Sequence, residues 1–238
     1  MSLVDNSDEL KNLLGDEAGA KAALKKIFTK IWSSSPEDIA IAVQKYTHRL
    51  KEEPSTKLTD LILRLQREFP GDVGVFAPLL LNYFVLKPGQ ASFLGPNQPH
   101  AYLSGDCIEC MACSDNTIRA GLTPKFKDIQ TLCSNLTYAM SGPPIFPHKE
   151  TAPGVELYAP PVPEFAVQAV KANATHFSDE KASSIVIVIS GSAHFKAGSL
   201  NLAVHRGDVI FMSAAATHVE INNPSSDFAC YRAFTPKP

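Results

Sequence analysis

Apolar residues recur every three to four positions through the first third of the chain and cluster in short β-branched runs through the last, so the pattern predicts helices followed by strands. Leu24, Ile27, Phe28 and Ile31 share one helical stripe. Ser35-Pro36-Glu37-Asp38 then offers a cap, a proline at the first helical position and early acids, opening a second helix with Ile39, Val43, Tyr46 and Leu50 on its buried face. Pro54-Ser55 breaks it, and Leu58, Leu61, Ile62, Leu65 and Phe69 mark a third helix stopped by Pro70-Gly71. Residues 1–70 therefore read as a helical domain with Lys- and Glu-rich solvated faces. His48 has no second histidine or cysteine at i±4 and reads as a structural residue.

The pattern changes after Gly71. Asp72 to Asn82 fits either a short helix or a buried strand, and Asp72 as a cap favours the helix. Tyr83 to Leu86, Lys87 to Gln90 and Ala91 to Leu94 read as strand, turn and strand. Pro96 to Pro99 turns the chain again, and His100 starts a further strand, held with little freedom behind a proline and directed into a cavity. Cys107 to Cys113 reads as a buried strand, because Ile108, Met111 and Ala112 make it apolar. Its C-x2-C-x2-C spacing invites an iron–sulfur reading. On a strand, however, Cys110 points away from Cys107 and Cys113, and no fourth Cys-Pro follows, so core packing is expected instead. Glu109 would face inward, either as a site group or as an ion-pair partner of Arg119 or Lys125. Gly121 and Pro124 bend the segment that carries those two cations, and a helix capped by Asp128, with Ile129, Leu132, Cys133 and Leu136 on one face, closes the region.

Residues 143–163 are dense in proline and read as a linker in which His148 is exposed. Beyond it, Ile185 to Ile189, Leu200 to Val204, Asp208 to Met212 and Thr217 to Ile221 read as strands. LKPGQASFLGPNQPHAY aligns without a gap with VHRGDVIFMSAAATHVE, pairing Gly89 with Gly207, Phe93 with Phe211 and His100 with His218. This is an internal repeat, and it supports two β-barrels of related construction.

Net charge is only −2 and the pI near 6.4, so the totals give no support to nucleic-acid or anionic-membrane binding. A local basic pocket for a phosphate stays open. No apolar run reaches the roughly 18 residues of a membrane span, and MSLVDNSDEL lacks a basic n-region with an apolar core, which predicts a cytoplasmic protein. Five cysteines, an odd number, argue for reduced thiols.

The segment PNQPHAYLSGDCIECMACSDNTIRAGLTPKF resembles the signature region of type I mannose-6-phosphate isomerase (phosphomannose isomerase), a zinc enzyme of the cupin superfamily, and YAPPVPEF (Tyr158 to Phe165) is a second matching piece. The resemblance is to the C-terminal part of that family. It implies a mainly β chain with an α-helical domain and cupin (jelly-roll type) β-barrels. Residues 71–142 would be the C-terminal portion of the catalytic barrel, leaving the first barrel incomplete, and 164–238 a second, degenerate cupin domain. The implied activity is interconversion of mannose 6-phosphate and fructose 6-phosphate by zinc-assisted proton transfer through an enediol, within carbohydrate metabolism and GDP-mannose biosynthesis. By resemblance, His100 is a zinc ligand, Arg119 the catalytic arginine, and Glu109 and Lys125 substrate-binding residues. The substrate is then a small phosphorylated sugar, with no nucleic-acid or membrane partner. The family's other three zinc ligands, a Gln-x-His pair and a glutamate, come from earlier strands and have no counterpart before Leu86. A truncated form with poor zinc binding and little activity of its own is therefore expected. In the second barrel Ser184 stands where a cupin glutamate would, which leaves His194 and His218 as packing residues. The competing reading is a non-catalytic sugar-phosphate-binding or scaffold protein of the same fold.

Overall fold

The computed structural model describes residues 17–114, 116–216 and 218–236. The chain divides into two compact units: Met1–Val85, Leu94–Ser104 and Asp115–Pro144 form one, and Leu86–Phe93, Gly105–Ser114 and Ile145–Pro238 the other.

The first unit is helical. Its elements are α1 (Glu17–Trp32), α2 (Pro36–Leu50), α3 (Lys57–Glu68), a 3-10 helix (Val73–Leu79) and α4 (Ile129–Asn135). The start signals work as the sequence suggests. Ser35 Oγ accepts from Asp38 N at 3.1 Å with Pro36 behind it, and Thr56 and Thr59 close a reciprocal capping box. Asp72 caps the 3-10 helix, accepting from Gly74 N at 2.7 Å. Asp128 caps α4 through Thr131 N at 3.0 Å. The apolar stripes meet in one core that includes Phe28, Trp32, Val43, Ile62, Val75 and Leu132. One turn apart on α1, Phe28 and Trp32 stack at 3.9 Å, and the indole N–H, which could not be buried unpaired without cost, donates to Ala120 O at 2.7 Å. His48 is exposed, 3.9 Å from Glu52.

The second unit is antiparallel β throughout. Strands β3 (Lys149–Ala152), β4 (Val155–Tyr158), β5 (Ala166–Lys171), β6 (Ser184–Ser190), β9 (Val209–Met212) and β11 (Ala229–Phe234) form a sheet in the order β3-β4-β5-β11-β6-β9. A second sheet runs β10 (Glu220–Asn222), β7 (Ser192–Ala197), β8 (Leu200–His205), and β1 (Ala91–Ser92) pairs with β2 (Ile145–Phe146). Val186, Val188, Phe195, Val204, Ile221 and Cys230, drawn from both larger sheets, share one core. The architecture is mainly β with a helical unit and cupin-like sheets, although the described strands do not close into a barrel. No described helix is long and apolar enough to cross a membrane.

The proline-dense stretch 143–163 carries β2, β3 and β4 rather than a bare connector. The repeat is visible in its turns: Gly89 (φ 82°) and Gly207 (φ 96°) sit at equivalent places in two tight turns, closed by Gln90 N to Lys87 O at 2.9 Å and Asp208 N to His205 O at 3.0 Å. Tyr158, from the second matching piece, donates its hydroxyl to Gly89 O at 2.8 Å. Burial and the neighbouring Glu156 push that phenol up to about 12. Between β6 and β7, Gly191 takes φ 67°, and a Cβ there would lie 2.7 Å from Phe228 Cα, so only glycine fits the turn.

On the inward face of β11, Cys230, Arg232 and Phe234 alternate with half-exposed neighbours. Arg232 is 1% exposed. Its Nε donates to Ser184 Oγ at 2.9 Å and its Nη1 to Ser178 O at 2.8 Å, with Nη2 3.5 Å from Glu180 O. The guanidinium lies 5.8 Å from the Phe177 ring and 5.4 Å from that of Phe234. Burial lowers its proton affinity, against the pull of Glu180 and Asp179.

Candidate functional site

The two cations singled out from the sequence lie on one loop of the first unit, and that loop is held by its backbone. Ala120 O accepts from Trp32, and Leu122 N donates to Asp72 Oδ1 at 2.8 Å. Lys127 Nζ closes on Asp72 Oδ2 at 3.0 Å. Gly121 and Gly74 pack backbone to backbone: a Cβ on Gly121 would sit 2.8 Å from Gly74 Cα. The bend expected from Gly121 is therefore a close approach that no side chain permits. Arg119, just before this clamped stretch, and Lys125, within it, are both exposed.

The Asp72 carboxylate, 11% exposed, takes two backbone N–H groups and an ammonium. Burial pushes its pKa up, but the N–H groups of Leu122 and Gly74, with Lys127, outweigh that and hold it below the usual carboxylate range. A depressed folded-state pKa makes this stabilisation fully present above the ordinary carboxylate value of about 3.9 and lost as pH falls through the lower folded value. Urea midpoints of the first unit, read by Trp32 fluorescence, should therefore fall as pH drops below about 4. In Asp72→Asn the corresponding part of that pH dependence should be absent.

Beside the loop lies a groove of about 1120 Å³, lined among others by Lys25, Ser33, Asp72, Lys125, Phe126 and Lys127. Three lysines face one acid, and Lys127 is already bonded to it, so the groove suits an anionic ligand.

The other two candidates are His100 and Glu109. His100 is exposed and outside any strand, with Nδ1 2.9 Å from Gln98 O and its ring 5.8 Å from that of Tyr102. It does not open a strand into an enclosed cavity. Glu109 is exposed and belongs to the Gly105–Ser114 segment of the second unit. The buried strand expected there is absent, as is the one expected at Tyr83 to Leu86. Alternation needs a neighbouring ladder to become a strand, and the described residues place none beside Cys107 to Cys113. Met111 is accordingly 71% exposed; Cys107 and Cys113 are exposed and Cys110 half-buried, so these thiols do not pack in a core. Asp115 lies outside the described residues.

Among the described residues no group of three or more His, Cys, Asp or Glu side chains could hold a metal ion. The zinc site that the resemblance implies is thus not fitted by these residues; His100 alone cannot make one. In the second unit His218, with φ 54°, stacks on His176 at 5.7 Å, and His194 Nδ1 is buried without a hydrogen-bond partner among the described residues.

The helical insertion domain of type I phosphomannose isomerase is matched by residues 4–81. A probable mannose-6-phosphate isomerase of Caenorhabditis elegans is 45% identical over 222 residues, covering 90% of this chain and 53% of the relative. The chain is related to the type I mannose-6-phosphate isomerases. Mannose-6-phosphate isomerase 2 of Arabidopsis thaliana is 36% identical over 252 residues, covering 97% of the chain and 57% of that protein. The crystal structure of mannose 6-phosphate isomerase, apo form, from Salmonella typhimurium superposes with a TM-score of 0.79 at 24% identity, over 96% of this chain and 61% of its own, and shares its fold. The chain thus spans little more than half the length of these curated isomerases. Arg119 and Lys125 were candidates through the signature. Asp72 stood out only as a helix cap, because its bonds to Leu122 and Lys127 span 50 and 55 residues.

Proposed function

We propose that the chain carries part of the site of an isomerase that interconverts mannose 6-phosphate and fructose 6-phosphate. The reaction moves a proton between adjacent carbons while the carbonyl passes from C1 to C2, through an enediol or enediolate whose oxygens carry developing negative charge. Arg119 stabilises that oxyanion, and Lys125, at the cationic groove, attracts the phosphate end of the sugar. Glu109 orients a cation or a water. The observation that carries the reading is the 45% identity to the nematode isomerase over 90% of the chain. The reading implies a cytoplasmic role in carbohydrate metabolism that feeds GDP-mannose biosynthesis, with a sugar phosphate as the partner molecule.

A second reading, a non-catalytic sugar-phosphate binder of the same fold, is favoured by the solvent exposure of His100. Calorimetric titration of mannose 6-phosphate tests both. Binding that Lys125→Ala weakens about tenfold is the expected result. Binding of the sugar phosphate without its turnover favours the second reading. A folded protein that takes up no sugar phosphate, or binds it equally well without Lys125, overturns the assignment.

A further inference from the structure

The two candidate cations are exposed, and an exposed Arg or Lys side chain is ordinarily free to sample many rotamers. What fixes the place from which they act is their backbone. Between residues 119 and 127 that backbone is tied down at Ala120 by Trp32, at Gly121 by contact with Gly74, and at Leu122 by one oxygen of the Asp72 carboxylate, while the other oxygen holds the side-chain ammonium of Lys127. That carboxylate also caps the 3-10 helix through Gly74 N, so it bonds both sides of the glycine–glycine contact. We propose that Asp72 is the positioning residue for Arg119 and Lys125, holding their loop in the geometry that engages the sugar phosphate; this rests on the isomerase reading above.

The bonds divide by chemistry. An asparagine at 72 keeps an oxygen for Gly74 and Leu122 but loses the charge that holds Lys127. An alanine loses all of it. A graded effect is expected, with Asp72→Asn milder than Asp72→Ala.

Two measurements on the 238-residue protein test the proposal. In hydrogen exchange, the amides of 119–127 should exchange at least about tenfold faster in Asp72→Ala while α2 and α3 keep their protection. In mannose 6-phosphate titrations, Asp72→Ala should weaken binding about tenfold, and the Asp72→Ala/Lys125→Ala double variant should bind within about twofold of Lys125→Ala alone, because the two changes disable one device. Unchanged exchange over 119–127 overturns the proposal whether or not the sugar phosphate binds, which separates its failure from failure of the isomerase reading. Fully additive losses, or faster exchange with undiminished affinity, also overturn it, since a residue that served stability alone would give those results.

Discussion

Replacing Arg232 by alanine is expected to lower the unfolding free energy of the second unit by about 3–5 kcal/mol, a large share of a typical domain's stability. The guanidinium is 1% exposed and supplies the donors for Ser178 O and Ser184 Oγ, so its removal takes their donor from a half-buried and a buried acceptor beside a void between Phe177 and Phe234. Arg232→Met should lose less, because an apolar side chain of similar length refills the space. Urea unfolding followed by circular dichroism measures both. A loss below about 1 kcal/mol for alanine would show that the cation contributes little to the sheet interior.

The second large effect concerns catalysis. When residues 1–238 replace the matched segment of the C. elegans relative, Arg119→Ala in that graft should reduce kcat about 100- to 1,000-fold with little change in KM, the signature of a group that meets charge only as it develops. Lys125→Ala should instead act mainly on KM, because it meets a phosphate that is charged throughout. Steady-state kinetics with mannose 6-phosphate separate the two patterns. Equal effects on KM from both variants would remove Arg119 from its assigned role.

The helical unit was legible because its amphipathic stripes are complete and several helix starts carry their own caps; Ser35, Asp72 and Asp128 all cap as their sequence contexts suggest. Strands β6 and β9 were legible as β-branched runs and β8 by its apolar residues at alternate positions, although only one face of β6 is buried: Val186 and Val188 point inward, while Ile185 is 55% exposed. Strands β5 and β11 escaped notice for one reason. Each places a polar residue at a buried position, Gln168 and Arg232, which face each other across the ladder and break the apolar alternation that marks a strand. The opposite error arose at Cys107 to Cys113, where the run is apolar but no described strand pairs with it. At the candidate site, the signature pointed to the cations but not to their support, because a carboxylate bonded 50 residues along the chain leaves no periodic mark.

The most direct measurement is the turnover of mannose 6-phosphate to fructose 6-phosphate by the folded graft that carries residues 1–238 unaltered. The assignment predicts interconversion within about tenfold of the parent nematode isomerase, since the chain would supply equivalent groups at equivalent places. A graft that folds and binds the sugar phosphate yet shows no turnover above background would contradict it.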